Sequence, residues 1–156
     1  MENSISQFIK ESIEMELNIG DLYQLFSVKF PTDYEFWWRL SMEEINHAAL
    51  IESISDGFID EELLPFAAID KRTDELNRMN LFIKDQIILF KSVPPSRLES
   101  FEIGIQLENS IGEFHFELFM TEKSGSPMTE IFQRLNGEDI NHAKRISSYS
   151  CSISAA

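Results

Sequence analysis

Two copies of one pentapeptide stand 95 residues apart in this chain, Glu44-Ile45-Asn46-His47-Ala48 and Asp139-Ile140-Asn141-His142-Ala143. In each, an acid precedes a histidine by three residues. On a helix the i and i+3 side chains share a face, so each copy can present a carboxylate and an imidazole to one point. Two such pairs, joined by one carboxylate from each of two further helices, are the parts of a dinuclear metal site built between four helices. One acid-x-x-His pair alone carries little, because surface helices are full of that spacing. Duplication is what gives it weight.

A second duplication supplies the two extra carboxylates. Glu16-Leu17-Asn18-Ile19-Gly20-Asp21 aligns with Glu108-Asn109-Ser110-Ile111-Gly112-Glu113, and Arg39-Leu40 aligns with Arg134-Leu135 ahead of the pentapeptides. The offset is 92 in the first helix of each half and 95 in the second, so three residues of loop account for the difference. An internal repeat with an approximate twofold axis is expected, the axis passing where the four polar clusters meet. The candidate ligands are Glu16, Glu44, His47, Glu108, Asp139 and His142. Carboxylates are hard ligands that can bridge cations and imidazole accepts borderline metals, which suits iron or manganese. Four carboxylates also balance two divalent ions.

The elements that must position these groups are legible as helical stripes. The first runs from Ser4 to Phe30, ahead of Pro31, with Ile5, Ile9, Ile13, Ile19, Tyr23 and Phe26 on one face and Glu16 at its middle. The second opens at Thr32 and Glu35, in capping-box spacing, and runs to Asp56, where Gly57 supplies a stop. Its stripe is Trp37, Leu40, Glu44, His47, Ile51 and Ile54, and Trp37 and Trp38 read as packing residues. A long connection from Phe58 to Pro95 includes an acidic turn at 60–64, Pro65 and a helix over Thr73 to Lys91. It is long enough to carry the chain from one end of a bundle to the other. The third bundle helix begins at Ser96 and Glu99, another capping box, and runs to Lys123 with Phe101, Ile105, Glu108, Ile111, His115 and Phe119 inward. After Ser124-Gly125-Ser126-Pro127, the fourth runs from Met128 to Tyr149 with Ile131, Leu135, Asp139, His142, Ile146 and Tyr149 inward, and 150–156 reads as a frayed tail.

Composition agrees. At 156 residues, 43% of them hydrophobic and only five proline and six glycine, the chain fits one all-α domain over 1–156. A formal charge of −14 opposes binding to phosphate backbones and anionic lipid. No basic region followed by an apolar run opens the chain, and no stretch approaches 18 uncharged apolar residues, so neither a secretory leader nor a membrane span is expected. The single Cys151 offers no disulfide and no CxxC metal site, in keeping with a cytoplasmic address.

Over Ser4 to Tyr149 the chain resembles the ferritin-like diiron carboxylate proteins, and most closely the rubrerythrin group. In that family helices one and three each give a glutamate and helices two and four each give Glu-x-x-His, the pattern of Glu16, Glu44 with His47, Glu108, and His142 here. Asp139 stands at the fourth-helix glutamate position but is a methylene shorter, and Glu138 is an alternative ligand. The resemblance implies a ferritin-like four-helix bundle with a long crossover and two iron ions, manganese or zinc being substitutes. Tyr23, seven residues after Glu16, matches a tyrosine that hydrogen-bonds a ligand carboxylate in that group. Its repeat equivalent is His115, read as a supporting hydrogen-bond donor rather than a ligand. Where rubrerythrins carry a further carboxylate on the third helix, this chain has Ile105 and Ile111, so the redox-linked movement of one iron is not expected. No rubredoxin-like module is expected within residues 150–156, which are too few to form one. The implied activity is reduction of hydrogen peroxide, or reaction with dioxygen, using a separate rubredoxin-like donor, in a homodimer. A ferroxidase or iron-handling protein is the second reading, and a non-redox helical module the third.

Overall fold

The structure is a computed structural model describing residues 4–55, 66–119 and 126–155, with side chains described throughout these except at 55, 66–68 and 112–119. The chain divides into two compact units, Met1–Pro94 and Pro95–Ala156. The first holds α1 (Ser4–Lys29), a 3-10 turn (Pro31–Asp33), α2 (Tyr34–Ser55) and α3 (Phe66–Ser92), and the second holds α4 (Arg97–Phe119) and α5 (Pro127–Ser154). No strand occurs among the described residues, and no described helix is long and apolar enough to cross a membrane. The all-α expectation is met.

In the first unit α1 and α2 form an antiparallel hairpin. The chain leaves α1 before Pro31 as expected, but the capping box at Thr32 and Glu35 does not form. Asp33 N–H donates to Phe30 O at 2.8 Å, which curls Thr32 into the 3-10 turn. An N-cap needs extended backbone, so Thr32 cannot serve as one, and Glu35 instead accepts from Arg39 one turn along. Trp37 packs at the centre of an aromatic cluster, its ring 5.2 Å from Tyr23 and 5.1 Å from Phe26, with Phe26 reaching Phe90 of α3 at 6.1 Å. Trp38, read from sequence as packing, is instead exposed.

Helix α1 buries 14 of its 26 residues, more than one stripe can supply, because it has two neighbours. The expected stripe faces α2, with Ile13 only half-buried. A second face, Glu11, Met15, Asn18 and Leu22, follows at i, i+4, i+7 and i+11. Two of its members bond to α3. Asn80 Nδ2 donates to the Glu11 carbonyl and to Glu11 Oε2, both at 3.0 Å, and Asn18 Nδ2 donates to Asn80 Oδ1 at 3.0 Å. Asn77 and Gln7 donate to Glu11 Oε1 at 3.2 and 2.8 Å. A buried carboxylate is tolerable when this many donors replace water. Asn80→Ala is therefore expected to cost about 2 kcal/mol, since it strips two donors from Glu11. Urea denaturation measures it, and a loss under about 0.5 kcal/mol would show the lock to be dispensable.

Helix α3 runs parallel to α1, its early residues against Glu11 and its end against Lys29, whose Nζ donates to Lys91 O at 2.8 Å. The connection therefore returns the chain to the end where α1 finished. The helix starts at Phe66, seven residues earlier than expected, while Gly57, the acidic turn and Pro65 lie outside the described residues.

In the second unit the capping box at the head of α4 is formed. Ser96 N–H donates to Glu99 Oε2 at 2.7 Å and Glu99 N–H donates to Ser96 Oγ at 3.2 Å. Those bonds from Ser96 hold the Glu99 carboxyl below its ordinary range. Helix α5 begins with Ser126 as N-cap, its Oγ accepting from Thr129 N–H at 3.2 Å, and Pro127 in the first turn. It runs antiparallel to α4, with Phe101 5.7 Å from Tyr149. Residues past Phe119 lie outside the described part of α4 up to Ser126. The tail is not frayed: α5 continues to Ser154, with Ala155 N–H donating to Cys151 O at 3.1 Å. Gly137 lies exposed within α5, and a Cβ added there meets nothing within 4 Å. Gly137→Ala should thus stabilise the protein by up to about 1 kcal/mol through helix propensity. A lowered denaturation midpoint in the variant would contradict this.

Candidate metal centre

The period of α1 turns Glu16 inward between Ile9 and Tyr23, and Glu16 is 1% exposed. On α2 the three-residue spacing turns Glu44 and His47 to the same side, also buried. His47 Nδ1 lies 3.1 Å from Glu44 Oε2 and 3.6 Å from Glu16 Oε2. Gly20, one turn beyond Glu16, permits this approach. A Cβ there would lie 3.4 Å from Ser41 O, 3.5 Å from Glu44 Cβ and 3.6 Å from Ile45 Cγ1. These are ordinary contact distances, so an alanine fits while a larger side chain would push α2 and its two donors away from Glu16.

Burial opposes a charged imidazole at this spot. Hydrogen bonds to Glu16 and Glu44, together with their negative charges, outweigh that penalty and hold the His47 pKa up at about 12. In the absence of metal the two carboxyl groups therefore hold the ring toward its protonated form. Glu44 and His47 are among the buried side chains whose ligand atoms lie close enough together to hold a metal ion, which would take the place of that proton.

The second unit repeats the arrangement on α4 and α5. His142 Nδ1 lies 3.6 Å from Glu108 Oε2, and Glu108, Asp139 and His142 are all buried. The choice between Asp139 and Glu138 follows from the 100° step between neighbours on a helix. Asp139 is inside, whereas Glu138 points round to Arg134, whose Nε donates to Glu138 Oε1 at 2.8 Å. Ile111 is buried and Ile105 half-buried, flanking Glu108 with apolar side chains as read from sequence.

Of the supporting residues, Tyr23 is buried against Trp37. His115 belongs to α4, and its side chain lies outside the described residues. Two features escaped the sequence reading. Gly20 was seen only as part of the repeat, not as the point where the helices meet. The Glu11–Asn80 lock was not seen at all, although Asn80 interrupts the apolar run Leu76, Ile83, Phe90 of α3 as Glu16 interrupts that of α1.

No protein-family model matches the chain, and searches of curated proteins and of solved structures likewise find no match.

Proposed function

We propose that the chain is a ferritin-like, rubrerythrin-type iron oxidoreductase that uses two irons to reduce hydrogen peroxide with electrons from a separate donor protein, each hairpin contributing its buried acid–histidine cluster. One observation carries the reading. At duplicated sequence positions, in two different helix hairpins, a buried imidazole Nδ1 stands 3.6 Å from a buried carboxylate of the neighbouring helix. Surface acid-x-x-His spacings have no reason to be buried twice with the same partner across the hairpin.

The donor set fits the metal. Glu16, Glu44 and His47 of the first hairpin and Glu108, Asp139 and His142 of the second would be the ligands, their four carboxylates offsetting two divalent cations. Two iron ions bound there would supply one electron each for the two-electron reduction of peroxide, which takes up two protons and yields two waters. The chain's own part is to bind and orient. Apolar neighbours such as Ile19 and Ile111 keep water away from the carboxylates, and Tyr23, locked by Trp37, supports the ligands of the first hairpin. With Asp139 a methylene shorter than Glu44, the two halves are unequal in reach.

The test is metal content followed by reaction. Protein from iron-supplemented cells should carry two irons per chain, and rapid mixing of the reduced protein with peroxide should oxidise the site faster than mixing with dioxygen. Faster reaction with dioxygen would favour the iron-handling reading. Failure of both oxidants to react, or stoichiometric zinc with no redox change, would remove the oxidoreductase.

A further inference from the structure

The outer side of the α1–α2 hairpin, away from Glu16, carries more large apolar side chains than the equivalent line of the second half. Around the close approach at Gly20 and Ile45, five large side chains, Leu17 and Val28 of α1 with Tyr34, Trp38 and Ile45 of α2, are between 41 and 65% exposed. On each helix they span 11 residues, so in an antiparallel hairpin the two rows lie alongside each other for roughly 17 Å. The sequence offsets pair Leu17 with Asn109, Tyr34 with Thr129 and Trp38 with Gln133. The corresponding line in the second half is thus polar at three of the five positions, the partners of Val28 and Ile45 being Met120 and Ile140. A requirement of the hairpin itself would have kept both lines apolar. Exposed apolar rows of this size are characteristic of contact sites.

Charge selects the occupant. Residues 1–94 carry 18 acids and 8 basic residues, a net −10 of the chain's −14, and Asp21 stands exposed beside the row between Leu17 and Val28. A second copy would bring the same negative field against this one, whereas a cationic surface is drawn to it. We infer that the Leu17–Trp38 row is a docking groove for a cationic amphipathic helix of a partner protein, whose apolar face lies along the row while its lysines and arginines are drawn by Asp21 and the net negative charge of residues 1–94. This does not depend on the metal reading.

The probe is a labelled amphipathic helix of leucine and lysine, roughly 18 residues long so that it overruns the row at 1.5 Å per residue, titrated against the full chain at physiological salt. A matched leucine–glutamate peptide is the control. Saturable one-to-one binding of the cationic peptide alone is expected, weakened at least about tenfold by Leu17→Asn with Trp38→Gln, which installs the second half's residues. Trp38→Gln alone, at a side chain already exposed, keeps the test intact if the double variant loses helicity. Three results would overturn the assignment. One is equal binding to wild type and variant. Another is binding removed by Phe82→Gln on the exposed face of α3 but not by the groove variants. The third is a native dimer that Trp38→Gln converts to monomer, which would make a second copy the occupant.

Discussion

His47→Ala is expected to destabilise the metal-free protein by about 3–5 kcal/mol, the range for breaking a buried ion pair from one side. The structure gives the reason: His47 Nδ1 sits 3.1 and 3.6 Å from two carboxylates that are both buried. With the imidazole gone, Glu16 and Glu44 lose the partner that faces them at 3.6 and 3.1 Å inside the protein. The pH dependence distinguishes this from a mere cavity. His47 has its pKa raised from 6.5 to about 12, so the stability it contributes is fully present below pH 6.5 and is lost as pH rises toward 12. Between those limits the folded chain holds a proton that the unfolded chain has released, worth on the order of 1 kcal/mol per pH unit. Denaturation of chelator-treated protein from pH 6 to 10 should show the gap between wild type and variant narrowing upward in pH. A small gap that stays constant with pH would mean the imidazole is neutral and the cluster is held by packing.

Glu44→Ala has the opposite profile. It leaves Glu16 and His47 as a balanced pair, so metal-free stability should change far less than in His47→Ala. Metal binding, in contrast, should collapse, with iron per chain falling from two to one or fewer while helicity by circular dichroism is retained. Loading also displaces the proton on His47. Apparent affinity should therefore rise about tenfold per pH unit for each proton displaced, and calorimetric titrations in two buffers of different ionisation enthalpy should differ accordingly. Full iron content in the Glu44→Ala protein, or affinity indifferent to pH, would end the ligand assignment.

These two variants separate what a donor set needs from what a fold needs. The Glu11–Asn80 lock shows the other case. Glu11 is a buried carboxylate like Glu16, yet Gln7, Asn77 and Asn80 all donate to it, which marks it as a pin between α1 and α3. Burial alone does not identify a ligand. The type of partner does: amide donors at Glu11, an imidazole at Glu16.

What sequence by itself determined is whatever the helix period controls. Each residue turns the chain by 100°, so once α1, α2, α4 and α5 are helices, Glu16 follows Ile9 inward, His47 follows Glu44, and Asp139 rather than Glu138 joins Leu135 and Ile146 inside. The capping bonds at Ser96 and Ser126 are equally local and could be read from spacing. Tertiary structure alone decided which faces find a neighbour. Periodicity marks Trp37 and Trp38 as two large aromatics in adjacent positions, but only the packing of α2 on α1 buries the first and leaves the second in solvent. One stripe on α1 was legible, whereas its second face became interior because α3 returns beside it and Asn80 bonds Glu11. The proton on His47 belongs to the same category. It exists because two helices bring two carboxylates to one ring, and the energy of charges at 3–4 Å depends on distances that no spacing along a single helix contains.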